Sequence, residues 1–322
     1  MKRRWRWVAA LAAGVLSSSW VFAQEFPNKP VRIVVPFTAG SATDILARTV
    51  GQKLSELWGQ QVVVDNRAGA GGTIGAGMVA KAPPDGLTLM VHSAAQAVNA
   101  FIYPSLPYDT LKDFVQVVPL AGQPNVLVTA PASGYKTVAD LIADAKKKPG
   151  GLNFGSAGIG SGTHVNGEKF KLAAGIDVAH IPYKGTPEAL TDTMAGRIAY
   201  FFSPISAALP HVRDGKLIAL GVSSAKRSSV QPNVPTIAES GLPGFDYNLW
   251  VGVFAPAGTP AEVVEKINRD VNRVLREPEV RERMTALGAE AMPMTPAEFD
   301  KFMRLEMDDA AKVVKAAGIK VQ

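Results

Sequence analysis

The fold class this sequence predicts is α/β, in two lobes with a central cleft between them and two interlobe crossings. Three observations carry that expectation. Short β-branched runs alternate with segments of helical periodicity along most of the chain. A glycine-, serine- and threonine-rich loop joins a strand to a helix once in each proposed lobe. The length, 322 residues, suits two lobes of about 100 to 200 residues each better than one small core.

Taken in order, 31–35 is a β-branched run ending at Pro36, and Leu46, Val50, Leu54 and Leu57 then recur at helical spacing as far as Gly59. Residues 61–65 read as the next strand, 73–81 as a helix, Pro84-Asp85-Gly86 as a turn and 87–91 as a third strand. Strands alternating with helices imply a parallel sheet covered on both faces. After an extended stretch at 124–130 the pattern resumes. Helices are expected over 138–147, 164–174, 187–195 and 205–213, and strands over 152–154, 178–181, 198–202 and 217–222. Residues 249–254 are again apolar and extended, and the remainder is helical. Thr259-Pro260-Ala261-Glu262 and Thr295-Pro296-Ala297-Glu298 are two copies of one start signal: a capping threonine, proline at the first helical position and a reciprocating glutamate. Val264, Ile267, Val271 and Val274 form one buried stripe, and Gly288 ends that helical region.

The stretches 124–130 and 249–254 are taken as the crossings. Residues 24–124 with 250–322 then make a discontinuous first lobe, and 125–249 the second. A tandem of two domains breaking near residue 125 is the alternative.

The first residues stand apart. Lys2, Arg3, Arg4 and Arg6 precede an apolar run at 8–16, then three serines and Val21-Phe22-Ala23. This is a secretory leader cleaved after Ala23, giving a periplasmic protein, since a spanning helix needs roughly 20 apolar residues. The arginine pair lacks the preceding polar residue of a twin-arginine signal. Removing four basic residues and no acidic one takes the formal charge from +6 to +2, so a nucleic-acid partner loses its main support. With no cysteine there is no disulfide frame, thiolate nucleophile or thiolate metal site.

The most informative feature is the repeated strand–loop–helix phrase: Phe37-Thr38-Ala39-Gly40-Ser41-Ala42-Thr43-Asp44, and the loop 155–164 with Gly160-Ser161-Gly162-Thr163-His164 at its end. Such loops put N–H groups and hydroxyls at the positive end of a helix, where anions and small ligands bind. The plainer reading is two tight connections with capped helices, and Asp44, three residues after Ser41, also fits a capping box. A third glycine-rich stretch, 67–73, precedes a helix. The G-x-G-x-x-A at 75–80 falls within that helix and makes a weak dinucleotide signal, so no cofactor is expected.

The four histidines are His92, His164, His180 and His211. None belongs to H-E-x-x-H, and His164 with Glu168 lacks a third metal ligand, so no metal is expected. Ser156 and Ser161 lack the glycine two residues before them that a nucleophile elbow requires. Lys184 sits in the turn Pro182-Tyr183-Lys184-Gly185, where exposure is the default and contact with an anion the functional alternative. Phe201 and Phe202 alternate across a strand, so at most one faces a cleft. Trp58 and Trp250 read as packing residues.

Seven phrases in order give the chain a family likeness: Pro30-Val31-Arg32-Ile33-Val34-Val35-Pro36-Phe37 with Gly40 and Asp44; Asp65-Asn66-Arg67-Ala68-Gly69-Ala70-Gly71-Gly72 with Gly75; Pro84-Asp85-Gly86; Leu106-Pro107-Tyr108-Asp109 with Lys112-Asp113-Phe114; Gly160-Ser161-Gly162-Thr163-His164 with Glu168; Pro182-Tyr183-Lys184-Gly185; and Val234-Pro235-Thr236 with Glu239. In these the sequence resembles, over essentially its full length, the Bug family of periplasmic receptors associated with tripartite tricarboxylate transporters.

The resemblance implies a type II periplasmic-binding fold that closes on a small carboxylate, held by backbone amides, hydroxyls and ordered waters. The pocket residues it implies are Thr38, Ala39, Gly40, Ser41 and Asp44 in the first loop and Gly160, Ser161, Gly162, Thr163 and His164 in the second. Tyr183, Lys184 and Gly185 lie beside them, and His92, Ser93 and Asn99 lie beyond the third strand, with Asp192 and Ser203 as further candidates. The first loop departs from the family, which often has a proline and paired glycines where this chain has Ala39, Gly40 and Ser41, and His92 stands where small polar residues are frequent. The expected role is capture of the solute for membrane transporter subunits, by a monomer without catalysis. The alternatives are a sensor that passes the ligand signal to a regulatory partner, and a secreted enzyme using His164, Glu168 and Asp44 as acid/base groups.

Overall fold

In a computed structural model, which describes residues 26–319, the elements run in this order. The first third holds β1 (Val31–Val35), α1 (Ala42–Trp58), β2 (Val62–Asn66), α2 (Thr73–Val79), β3 (Thr88–Ser93) and α3 (Ala95–Ile102). The middle holds β4 (Phe114–Thr129), α4 (Val138–Lys147), β5 (Asn153–Ser156), α5 (Gly162–Ala174), β6 (Ala179–Pro182), α6 (Thr186–Met194), β7 (Tyr200–Pro204), α7 (Ile205–Arg213) and β8 (Ile218–Val222). The last part holds β9 (Asn248–Pro256), α8 (Ala261–Arg276), α9 (Pro278–Ala286), β10 (Glu290–Ala291) and α10 (Pro296–Ala317). The leader expected over residues 1–23 lies outside the described residues. Among those described, no helix is long and apolar enough to cross a membrane.

The strands pair in the order β2-β1-β3-β9-β4-β7-β5-β6, with β8 and β10 also on β4. β1 pairs with β2 and β3, and β5 with β6 and β7, all in parallel. The uniformly parallel sheet expected from the sequence is corrected, because β9 is antiparallel to β3 and β4, and β4 is antiparallel to β7 and β8. The βαβ rhythm reads only the order of elements along the chain, and β4, although α3 precedes it, pairs with β7, β8 and β9, none of which is its neighbour in sequence.

β4 begins ten residues before the extended stretch read from the sequence. Pro119 hides the strand from periodicity, and the register shifts at Gln116/Val118 and Pro119/Ala121 accommodate it, as prolines in strands require. Along β4 the partner changes between Pro124, opposite Asn248 of β9, and Asn125, opposite Pro204 of β7. Ser223 ties β4 to the segment leading into β9 there: its hydroxyl accepts from Asn125 N at 2.9 Å and donates to Tyr247 O at 2.6 Å.

Both faces of each part of the sheet are packed. Val31, Ile33 and Val35 lie with Leu46, Val50 and the Val264/Ile267/Val271/Val274 stripe of α8. On the other face Val34, Met90, Trp250 and Phe254 meet Phe299 and Met303 of α10. Phe202 packs with Phe154, Phe170 and Tyr200, and Phe201 with Val126 and Val128; both phenylalanines are fully buried, so neither faces the cleft. Trp250 Nε1 donates to Glu306 Oε2 at 2.7 Å and Trp58 Nε1 to Asp270 Oδ2 at 2.7 Å. The far end of α10 (Ala310, Val314) joins Val98 and Ile102 of α3 to Val165 of α5.

Only one of the two start signals becomes a capping box. Thr295 Oγ1 accepts from Glu298 N and Glu298 Oε2 from Thr295 N. At the other, Pro260 is the cap and no side chain bonds the helix start. The Thr259 hydroxyl is turned inward, donating to Pro256 O at 2.7 Å to close the turn after β9.

Candidate ligand-binding site

The two strand–loop–helix phrases fold as copies of one another. In each a glycine, Gly40 or Gly160, takes φ +82°, which side chains with a Cβ resist. The serine after it is extended and caps the helix: Ser41 at φ −68°, ψ 159° and Ser161 at φ −65°, ψ 155°. The serine N–H donates three residues back, to Thr38 O at 3.1 Å and Gly158 O at 3.0 Å. Its hydroxyl accepts from the N–H three residues on, Asp44 N at 3.3 Å and His164 N at 3.2 Å. The side chain at that position turns back to the glycine, so that Gly40 N donates to Asp44 Oδ2 at 2.9 Å and Gly160 N to His164 Nδ1 at 3.2 Å.

Asp44 therefore does not reciprocate Ser41 as a capping box; it holds Gly40. Its carboxylate also accepts from Arg48 Nε at 3.0 and 3.1 Å and Asn66 Nδ2 at 3.0 Å. Burial alone raises its pKa, but the bonds from Arg48, Gly40 N and Asn66 outweigh burial and hold the group below the usual carboxylate range.

A helix start leaves its first N–H groups open. Ala42 and Thr43 of α1 and Gly162 and Thr163 of α5 line one narrow cavity, with Ser41 and Ser161 beside them. Two positive helix ends thus meet at one place, and no charged side chain lines it. The arrangement suits the oxygens of a small anion held by N–H groups and hydroxyls. Larger grooves exist, one of them lined by 122–124, 224–229 and 288–292 behind the crossing strands, but no helix start opens into it.

Residues from opposite sides of the cleft touch across its mouth. Thr38 Oγ1 donates to Glu188 Oε2 at 3.0 Å, and Tyr103 OH to Ile159 O at 3.1 Å. Gly71, in the glycine-rich stretch that the sequence left without a role, lies so close to Ile159 that a Cβ there would stand 2.0 Å from the Ile159 carbonyl oxygen. Asn99 Nδ2 donates to Gly71 O at 3.0 Å, and a Cβ on Gly160 would meet Asn99 Oδ1 at 2.2 Å.

Of the residues named from the sequence, Ser41, Ser93, Ser161, Gly162 and Thr163 line the cavity, with Thr38, Ala39, Gly40 and Gly160 in the loops that frame it. Asn99 is buried behind Gly71, and Gly185 lies under Thr38, whose Oγ1 a Cβ would meet at 1.9 Å. Lys184 is exposed. Tyr183 and Asp192 bond each other at 2.7 Å, and Arg197 takes the second Asp192 oxygen. Ser203 donates to Pro204 O. His92 and Ser93 are the last two residues of β3 rather than residues beyond it, since pairing with β9 continues through Ser93 and Val251. Phe37, Ala157, Thr186, Pro204 and Leu249 also line the cavity; sequence gave no signal for them beyond their place at element ends.

His92 and His164 are buried and His180 is half-buried. His92 packs edge-on against Phe37 and is pushed down to about 3 by burial. The His164 and His180 rings stack at 3.9 Å, and His180 Nε2 lies 2.6 Å from Ser156 Oγ. Burial, then the His180 and Lys171 charges, lowers His164 to about 3, and burial with the Lys171 charge lowers His180 to about 4. Among the described residues no group of His, Asp or Glu has the makings of a metal site.

These shifts fix a pH dependence. An unfolded chain takes up the protons near pH 6.5 while the folded one refuses them, so stability is full above that pH and falls as pH drops towards 4. The slope reaches about 1.4 kcal/mol per pH unit for each histidine. Thermal melts between pH 7.5 and 4.5 should show the loss and His180→Asn should lessen it; a melting temperature flat across this window would contradict it.

Residues 46–319 match the family model described as the tripartite tricarboxylate transporter family receptor. The chain belongs to this receptor family. It is 40% identical over 315 residues, 97% of this chain and 94% of the relative, to the UPF0065 protein in the tcbD-tcbE intergenic region of Pseudomonas sp. strain P51. It is 38% identical over 304 residues to Protein BugT of Bordetella pertussis, covering 94% of this chain and 93% of that one. Among solved structures, Rpa4515 of R. palustris with adipate superposes with a TM-score of 0.90 at 36% identity, covering 92% of this chain and all of that one. The periplasmic binding protein BugD gives 0.88 at 32%, with the same coverage. MatC from Rhodopseudomonas palustris with bound malate gives 0.84 at 34%, covering 90% and 100%. The family receptor thus has the α/β fold of the periplasmic binding proteins of this type, and the likeness to Bug receptors read from its motifs holds.

Proposed function

We propose that this family receptor is an exported periplasmic protein that captures a small carboxylate between the two copied helix starts and presents it to transporter subunits in the membrane, without transforming it. The observation that carries the reading is the convergence of the Gly40-Ser41 and Gly160-Ser161 helix starts on one cavity without a charged lining. A carboxylate there accepts charge-assisted bonds from N–H groups and hydroxyls on both sides. The ligands named with the two relatives, adipate and malate, are carboxylates and support this class. Residues 24–124 with 250–322 move against 125–249 about the points where β4 and β9 pass between sheet parts. Closure brings Thr38, Ser41, Ser93, Ser161 and Thr163 around the ligand, with Asp44, Asn99, His164 and Gly185 shaping the loops from behind. The receptor acts as a single copy.

A thermal-shift screen of the refolded, ligand-stripped mature protein against mono- and dicarboxylates, aromatic acids and acidic amino acids tests this. A ligand that binds only the folded state at 100 times its Kd adds about 2.7 kcal/mol of stability. A shift for one class, with the compound recovered unchanged, is the expected result. A shift with consumption of the compound makes the protein an enzyme, and no shift for any acid sinks the carboxylate reading.

A further inference from the structure

Behind the cavity lies a polar floor that anion capture does not use. Gln123 of β4 stands opposite Leu249 of β9, so their side chains share a face of the sheet, and Leu249 lines the cavity. Asn125, two residues further along, shares that face and stands opposite Pro204, another lining residue. A Cβ on Gly162 would meet Leu249 Cδ1 at 2.5 Å and Tyr247 OH at 3.0 Å, so the tyrosine hydroxyl lies directly behind the α5 start. Asn166, one helical turn after Gly162, projects from the same side of α5.

Asn125 and Asn166 are fully buried and Gln123 and Ser206 nearly so. Both amide atoms of Asn125 and of Asn166, Gln123 Nε2, Ser206 Oγ and Tyr247 OH, seven buried atoms in all, have no hydrogen-bond partner among the described residues. Buried polar groups are otherwise almost always paired, and seven left unmet would cost a stability comparable to that of a whole domain. The five floor side chains are themselves uncharged, and the charge that acts on the Tyr247 hydroxyl is the Glu306 carboxylate, so a second carboxylate arriving there would meet like charge and no cation among them.

We propose that Asn125, Asn166 and Tyr247 form a neutral reading floor that hydrogen-bonds the far end of the captured acid and selects an uncharged polar group there, a hydroxyl or an amide, over an alkyl end or a second carboxylate. This rests on the carboxylate-receptor reading and names the ligand class within it: acids bearing a neutral polar end.

The test is calorimetric titration of two series of equal length: hexanoate, 6-hydroxyhexanoate, adipamate and adipate, then butyrate, 4-hydroxybutyrate, succinamate and succinate. In at least one series the hydroxy or amide acid is expected to bind about 10-fold more tightly than both its alkyl and its dicarboxylate counterparts, a factor within the range that an unpaired buried amide costs. In Asn125→Leu and Asn166→Leu the ratio of alkyl to hydroxy-acid dissociation constants should fall towards one. Asn125→Ser and Asn166→Ser give the same readout should a leucine variant not fold. Tightest binding of the dicarboxylate or alkyl acid by the native protein, or an unchanged ratio in variants that retain binding, overturns the floor; the latter is the result expected if the amides serve only ordered water. The receptor reading fails separately, through absence of binding by all eight acids and by the wider screen, which overturns the floor with it.

Discussion

Gly71→Ala is expected to fold, to remain open, and to lose the ligand. Its Cβ would stand 2.0 Å from the Ile159 carbonyl oxygen across the mouth of the cleft, far inside van der Waals contact and against backbone on the far side. The obstacle exists only when the two sides meet, so folding of either is spared apart from the cost of alanine at φ +59°, about 1 to 2 kcal/mol. Without closure the acid keeps the N–H groups of one helix start and forfeits those of the other. Two hydrogen bonds to a charged group at about 1.5 to 3 kcal/mol each amount to a loss of affinity on the order of 100- to 10,000-fold. Gly59→Ala is the control: φ is +61° and no atom lies within 4 Å of its Cβ, so it carries the same backbone strain and should bind normally. Calorimetry reads the affinity, and small-angle scattering reads the contraction that ligand causes in the native protein and Gly59→Ala. Native-like affinity in Gly71→Ala would mean that the closed contact between 69–72 and 158–160 has no part in capture.

Asp44→Ala should damage both stability and binding. Gly40 N loses its acceptor and Asn66 Nδ2 keeps only Phe37 O, while the half-exposed Arg48 recovers water. Since neither donor is fully buried, the loss is about 1 to 2 kcal/mol, and Gly40, freed from Asp44, no longer fixes the α1 start. Asp44→Asn, which keeps an acceptor but loses the charge, should lose less. The pH dependence identifies the cause. A carboxylate held below its ordinary range contributes stability above about pH 4, and the contribution is lost as pH falls through its folded pKa. The gap between native and Asp44→Asn in denaturant melts should therefore be constant from pH 5 upward and close at lower pH. A gap that persists in acid would assign the effect to packing instead.

The legible part of this protein is local. A serine cap and a side chain three residues on are one turn apart, so Gly40-Ser41 with Asp44 and Gly160-Ser161 with His164 stand out in the sequence before any contact is known. The same holds for Thr295 with Glu298. Where a residue has two local uses, the sequence could not choose. Thr259 fits a cap as well as Thr295 does, yet its hydroxyl closes a turn against Pro256, and Asp44 fits a capping box yet binds Gly40, Arg48 and Asn66.

Legible in the residues alone are the alternation of strands and helices, the two serine-capped helix starts, and, through the ordered motifs, the receptor family. Tertiary structure alone decided where those starts converge. That depends on β4 and β9 pairing antiparallel across more than 100 residues of chain and on Gly71 meeting Ile159 from the opposite side of the cleft. The physical reason is range: capping and periodicity act within a turn or two of backbone. The convergence, the approach of Gly71 to Ile159 and the buried polar side chains behind the cavity come from contacts between distant segments, which leave no spacing to read in any one of them.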